Sequence, residues 1–242
     1  MTESSKTAER PGRNLVVLGI GPHGLGQLTL EALEALKGSR LVLAAARGAE
    51  LTAFCRGLGV RCAAVTWRGS AGSGPGVGTA ALTRRLAREL KRPGRVCAVV
   101  DGSPALFSVA DALRGAFPAA RVLAGVGALD QVLIALRSAV GDCAALGVRA
   151  LNLAGLPPRA ALTDPYALTL LYNAGGLARG SPRAFSKLAR RLAGARRLWL
   201  VECVPGGDTV LETTPGRLAA DARRVGVNVT LAVEPLISAR GV

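Results

Sequence analysis

Histidine, methionine and aromatic residues are scarce in this chain. Among 242 residues there is one histidine, His23, one methionine, and only 3% of positions are Phe, Trp or Tyr. The five cysteines, Cys55, Cys62, Cys97, Cys143 and Cys203, are odd in number and scattered, with no C-x-x-C pair. Neither a zinc site nor a disulfide framework is expected from such spacing, and a free cysteine in an apolar run reads as a small core residue. No apolar stretch reaches the roughly 18 residues of a membrane helix, because arginines and glycines interrupt every candidate. The opening MTESSKTAERPGRN has no apolar signal core, so residues 1–13 read as a disordered lead-in and the cytoplasm as the compartment.

Lysine is also rare, being confined to Lys6, Lys37, Lys91 and Lys187, so the net charge of +15 is carried almost wholly by arginine. A basic surface attracts polyanions in general. With few aromatics to stack bases, and arginines spread over several helices, a solvated surface is the preferred reading over a nucleic-acid face.

Half of the residues are hydrophobic, enough for a sizeable core in one domain or two small ones. The most informative stretch is LVVLGIGPHGLGQLTLEALEALKGSRLVLAA. Leu15 to Ile20 is a branched apolar run of the kind buried on both faces of a parallel sheet. Gly19, Gly21, Gly24 and Gly26 permit a tight turn or a close approach, and Pro22 stiffens it. Thr29 is placed to cap a helix carrying Glu31 in its first turn and Leu30, Leu33 and Leu36 at helical spacing. The loop lacks a G-K-[ST] ending, and Pro22 after the second glycine breaks the dinucleotide fingerprint. It stands either as a ligand-binding turn or as a purely structural one.

Further along, strands are expected at Arg40 to Ala45, Arg61 to Val65, Arg95 to Val100 and Arg121 to Leu123. A mobile loop is expected over Gly69 to Gly78, and helices over ALTRRLAREL, within DGSPALFSVADALRGAF, and from Ala128 to Val140. VRALNLAG and RAALTDP read as strands, and Asp164 with Pro165 as the start of a short helix ending before Gly175. Ser181 and Pro182 repeat that device ahead of Phe185, Leu188 and Leu192. RRLWLVECV and DTVLET read as a hairpin around Pro205 to Gly207. Thr214 and Pro215 then open a long last helix, closed by Arg223, Arg224 and a left-handed Gly226 before the strand VNVTLAV. Strands alternating with helices favour a largely parallel sheet.

Four local matches give this order of elements a family likeness. LGIGP with QLTLEAL, DGSPALFS, AGVGALD and LWLVECVPGGDTVLETTPGRLA together resemble the opening V-G-x-G-P loop, the G-D-P loop, the P-G-x-S-S segment and the closing strand-turn-strand of the tetrapyrrole methylases. LTDP and VECVPGGDTVLETTPGRLAADARRVGVNVTL are most similar to the cobalamin-pathway branch that methylates carbon five of the corrin precursor. The departures are specific. Ser103 stands for the aspartate of G-D-P, Gly127 and Ala128 for the hydroxyl residues of P-G-x-S-S, and the branch's histidine-glycine-arginine patch is absent between Asn152 and Arg159.

The resemblance implies an α/β fold of two domains, 14–126 and 127–242, with S-adenosylmethionine held in a cleft between them. It implies cofactor contacts at Pro22, Gly102, Ser103, Leu106, Phe107, Gly127, Ala128, Tyr172, Asn173 and Val204. It also implies a homodimer acting on an anionic corrin or tetrapyrrole precursor, whose carboxylates suit arginine. Phe107 and Tyr172 read equally as core aromatics. No catalytic residue is assigned: Asp101, Asp164 and Glu202 are the carboxylates nearest the expected site, each explicable as a cap or hydrogen-bond acceptor, and His23 reads as an incidental loop residue. Two alternatives remain. QLTLEALEAL also resembles the opening of peptide-backbone N-methyltransferases of the same fold, which act on ribosomally made precursor peptides, and loss of the G-D-P and Ser-Ser features suits a non-catalytic scaffold member. The S-D-A-G-x-P loop of the ribosomal-RNA-methylating branch is missing.

Overall fold

The run Leu15–Gly19 forms strand β1, buried along its whole length. In the computed structural model, which describes residues 12–45, 47–65, 76–105, 109–140, 147–195, 197–224, 226 and 228–236, β1 pairs in parallel with strands on both sides. Described residues up to Val126 form one compact unit and those from Gly127 another.

In the first unit β2 (Leu41–Ala44), β3 (Cys62–Ala64), β4 (Val96–Val100) and β5 (Arg121–Val122) join β1 in the order β3-β2-β4-β1-β5, every pairing parallel. Continuous apolar strands need cover on both faces. Val16, Leu18 and Ile20 pack with Ala32 and Leu36 of α1 (Leu30–Lys37) and with Leu51 and Cys55 of α2 (Gly48–Gly57). Leu15 and Val17 pack with Leu82 and Leu86 of α3 (Gly76–Glu89) and Leu113 of α4 (Val109–Ala116).

Thr29 caps α1 as expected, its hydroxyl accepting the Ala32 N–H at 3.1 Å. The buried face differs from expectation, being Ala32, Ala35 and Leu36, while Leu30 is 81% exposed. Steps of three residues fall short of a full turn, so Leu30 and Leu36 diverge around the axis. Helix α2 has no counterpart among the expected elements, and α3 begins at Gly76, inside the stretch expected to be loop up to Gly78. Residues 69–75 of that stretch lie outside the described residues.

The second unit corrects the expectation of a largely parallel sheet. Strands β6 (Val148–Asn152), β7 (Leu168–Tyr172), β8 (Leu198–Val204), β9 (Gly207–Thr213) and β10 (Val229–Val233) lie in the order β6-β7-β10-β8-β9, and only β6 and β7 are parallel. The short helix expected after Asp164 is β7. Asp164 Oδ1 accepts the N–H groups of Tyr166 and Ala167, both at 2.9 Å, the bonds a cap would make. Leu168–Tyr172 is then wholly buried between β6 and β10, and this burial decides for the strand. Likewise RAALTDP is not a strand.

One face of this sheet is covered by α6 (Ala174–Gly180), α7 (Pro182–Arg191) and α8 (Leu218–Asp221), through Phe185, Leu188, Leu218 and Leu231. Helix α5 (Ala128–Val140) packs on β8 and β9. Pro182 takes the first position of α7, but the Ser181 side chain makes no cap bond. The expected long last helix is four residues, held by buried Asp221, which accepts from the Thr213 hydroxyl at 2.7 Å. Gly226 does not adopt positive φ, and the Glu202 carboxylate lies over it, where a Cβ would stand 1.7 Å from Glu202 Oε1 unless that side chain moved.

The hairpin of β8 and β9 turns at Pro205 and Gly206 as expected. Cys55, Cys97 and Cys203 are buried and Cys62 half-buried, all as free thiols, while Cys143 lies outside the described residues. Burial pushes the Cys55 thiol up to about 12. Among the described residues no helix is long and apolar enough to cross a membrane, and no group of three His, Cys, Asp or Glu is placed to hold a metal.

Glu89, at the end of α3, ties that helix to the entry of β2. Its Oε2 lies 3.4 Å from Arg40 Nη1 and 3.7 Å from Arg92, its Oε1 3.5 Å from Arg85, and its carbonyl accepts from Arg40 Nη2 at 2.9 Å. Burial opposes the charged carboxylate, but the Arg40 hydrogen bond and the three guanidinium charges outweigh it and hold Glu89 below its usual range. A depressed folded-state value contributes stability above the unfolded-state value, lost as pH falls through the folded one. Glu89→Gln is therefore expected to lower the thermal midpoint at pH 7 and to flatten the fall in stability below about pH 4, as followed by circular dichroism melts across pH.

Candidate functional site

In an open α/β sheet, ligands bind beyond the carboxyl ends of the strands, where connections leave in opposite directions. The boundary between β1 and β4 is such a point, since the chain leaves β1 towards β2 on one side and leaves β4 towards β5 on the other. The loops after β1 and β4 therefore emerge side by side. Ile20 N–H donates to Val100 O at 3.3 Å, and Gly21 and Gly102 form an isolated antiparallel bridge.

The glycines that permit this contact separate by role. A Cβ on Gly19 would lie 1.8 Å from Gly102 O. Gly21 and Gly24 have φ of 70° and 90°, and Gly102 has φ of 64°. A Cβ on Gly26 would meet nothing within 4 Å, so that position carries no such constraint. The first loop folds back on Gln27, whose Oε1 accepts the His23 N–H at 2.9 Å.

Pro22 is buried at the tip of the first loop, and Gly102 and Ser103 form the second. The Ser103 hydroxyl accepts the Ala105 N–H at 3.2 Å, the two-residue turn bond an aspartate at this position would also make. The substitution thus preserves the loop's local fold while removing a charge. Leu106 and Phe107 lie outside the described residues.

Arg47 is a site residue that the motifs did not indicate. It precedes α2 in the left-handed region, with φ 46° and ψ 45°, and its side chain is 19% exposed. For a non-glycine residue this conformation costs on the order of 1–3 kcal/mol. Its Nη2 donates to Pro22 O at 2.6 Å, its Nε to Asp101 Oδ1 at 3.3 Å, and its Nη1 lies 4.0 Å from Glu50 Oε2. The legible signal is topological: β2 pairs with β4, so the residue following β2 must emerge near the β4 loop.

In the second unit Gly127 is buried, its carbonyl accepting from Gln131 N–H at 3.4 Å at the start of α5, with Ala128 as the first helical residue. Tyr172 ends β7 and is 8% exposed. Burial first, then the neighbouring Cys203 and Asp130, raise its phenol above the ordinary value. Tyr172 thus lies near the first turn of α5. Asn173, at φ 64°, donates from Nδ2 to Asn152 Oδ1 at 2.7 Å, joining the carboxyl ends of β6 and β7.

Val204 stands apart. The pairings of Glu202 with Val229 and of Leu231 with Leu171 and Leu200 put Val204, of the same parity as Glu202 and Leu200, on the face of α6, α7 and α8. Tyr172 alternates with Leu171 and points to the opposite face. The Val204 and Tyr172 side chains are not brought together.

Two of the carboxylates near the expected site, Asp101 and Asp164, have partners. Asp101 meets Arg47, and the two amide bonds from Tyr166 and Ala167 hold Asp164 below its ordinary value. Glu202 approaches the Gly226 backbone.

Replacing Gly19 by alanine is expected to separate the two loops or bend β1, destabilising the protein by about 1–3 kcal/mol. Chemical denaturation checks this; an alanine variant as stable as the parent contradicts the close approach.

A family model described as Tetrapyrrole (Corrin/Porphyrin) Methylases matches residues 14–206. No curated protein sequence matches the chain. Among solved structures it is similar to a cobalamin biosynthetic enzyme, cobalt precorrin-4 methyltransferase, with 16% identity, TM-score 0.64, and coverage of 93% of this chain and 96% of that one. It is similar to precorrin-6Y methylase from Archaeoglobus fulgidus, with 16% identity, TM-score 0.60, and coverage of 93% and 99%. Uroporphyrin-III-C-methyltransferase from Thermus thermophilus is a third, with 21% identity, TM-score 0.62, and coverage of 95% and 96%. With a match spanning both the loops of the first unit and most of the second, the chain belongs to the tetrapyrrole (corrin/porphyrin) methylases, a family of methyltransferases.

Proposed function

We propose that this protein transfers a methyl group from S-adenosylmethionine to a carboxylated corrin precursor of a cobalamin-type pathway. The observation that carries the reading is the backbone bridge between Gly21 and Gly102, which sets two glycine-bearing loops against each other at the carboxyl ends of β1 and β4. Such a site binds through main-chain amides and carbonyls. It therefore tolerates Ser103 in place of an aspartate, provided the Ser103 turn bond is kept.

The residues assigned to the methyl donor in the first unit are Pro22, Gly102 and Ser103. In the second unit, taken on its own geometry, they are Gly127, Ala128, Tyr172 and Asn173. Val204 is assigned through its main chain only, since its side chain faces away from that of Tyr172. S-adenosylmethionine, when bound, supplies an electrophilic methyl group on a sulfonium. The protein's share of the reaction is to hold an acceptor in line and to exclude water, which is proximity and orientation. The net charge of +15 and its arginine origin suit a multiply carboxylated acceptor. The precorrin and cobalt-precorrin methyltransferases among the similar structures favour that acceptor class over a peptide.

Calorimetry with S-adenosylmethionine and S-adenosylhomocysteine tests the donor, with dissociation constants expected in the micromolar range. No heat at millimolar ligand would leave the scaffold reading in its place. Incubation with labelled donor and, separately, a carboxylated corrin precursor, a candidate peptide and RNA tests the acceptor, and label is expected in the corrin alone.

A further inference from the structure

We propose that Arg47 is a positioning residue that holds the two loops of the first unit at binding distance, and that it uses Asp101 as its anchor. The proposal rests on the methyl-donor reading of those loops. Three observations converge on it. The guanidinium bonds to the tip of the first loop, at Pro22 O, and to the entry of the second, at Asp101, through different nitrogens at 2.6 and 3.3 Å. Arg47 adopts a left-handed backbone, unusual for a residue with a side chain, and Asn173 is the other described non-glycine residue to do so. The ends of the Arg47 and Glu50 side chains lie against the first loop: a Cβ on Gly24 would stand 3.4 Å from Arg47 Nη1 and 3.1 Å from Glu50 Oε1.

Strain of this kind persists only where surrounding contacts over-determine it, and glycine would relieve it at an entropic cost alone. Retaining arginine at φ 46° therefore points to a requirement for the guanidinium itself. Lysine would not serve, because one ammonium cannot address a carbonyl and a carboxylate from the fixed fork of a planar group. The pair also locates the charge of the second loop. With Ser103 neutral, Asp101 is the carboxylate adjoining Gly102, and Arg47 keeps it turned to the first loop instead of to a ligand. Donor binding then proceeds against a preset gap between the loops instead of ordering them on arrival.

The test compares Arg47→Gly, Asp101→Ala and the double variant with the parent, using S-adenosylhomocysteine calorimetry and thermal melts. In Arg47→Gly, relief of left-handed strain offsets the lost ion pairs, so the melting midpoint is expected to stay within about 4 °C of the parent. Affinity is expected to fall roughly tenfold or more. Asp101→Ala is expected to lose affinity in the same direction, and the double variant to bind no worse than Arg47→Gly, because both changes break one device. Millimolar guanidinium chloride, but not potassium chloride at equal ionic strength, is expected to restore part of the affinity of Arg47→Gly, a rescue that a merely structural arginine would not show. Parental affinity in both single variants overturns the proposal while leaving the methyl-donor reading in place. Absence of binding by the parent itself overturns that reading and the proposal with it.

Discussion

The contact on which the first unit's functional end depends is the meeting of two backbones, Gly19 and Gly21 from one loop and Gly102 from the other. Everything around it is arranged to let peptide groups approach without side chains between them. Parallel pairing of β1 with β4 brings the loops out together, from Leu15 opposite Val96 to Gly19 opposite Val100. Glycine removes the Cβ that would collide with Gly102 O, and positive φ turns each loop away from its strand. A contact made by main chain alone constrains neighbouring side chains little, and the turn bond that Ser103 makes to Ala105 is one that serine and aspartate can both supply.

Electrostatics follow from the same economy of groups. The chain has 16 acidic residues against 31 basic ones, and the acids near the structural joints are bound to nearby partners. Glu89 gathers Arg40, Arg85 and Arg92, Asp221 sits between Arg217 and Arg224, and Asp101 meets Arg47. The carboxylates thus pin helices and loops to one another, and most of the surplus cationic charge faces solvent.

The first unit is largely legible in the sequence because its signals are local. A branched apolar run, a glycine turn and a threonine cap each act within a few residues, and β1, α1 and β4 form where those signals lie. Longer-range decisions are not legible. Asp164 makes the bonds of a helix cap, yet the chain enters β7, since five consecutive residues are buried by neighbouring strands distant in sequence. Gly226 is a second case: a glycine after a basic turn has the look of a left-handed cap, but its backbone does not take positive φ. The direction of the second sheet is hidden for the same cause, because strand alternation with helices does not specify which neighbour each strand will choose. Arg47 leaves no motif because its role depends on three segments meeting in space. The Val204 and Tyr172 side chains lie on opposite faces of the second sheet because period-two alternation is set by register, which motif matching does not see.

The two sheets also differ in how far the chain must travel to complete them. In the second, β8 meets β9 across a two-residue turn, with Leu198 opposite Thr213. In the first, the central strand waits for partners made much later, Leu15 for Val96 and Val16 for Arg121. Local pairings form quickly and distant parallel ones slowly. During synthesis β1 therefore emerges as an unpaired, wholly apolar strand whose hydrogen-bonding edges stay open until β4 and β5 arrive, a period in which it is vulnerable to association with other chains. Because the Gly21–Gly102 bridge can close only after that pairing, the contact between the two loops is among the last parts of the unit to exist, and its presence marks a first sheet that is complete.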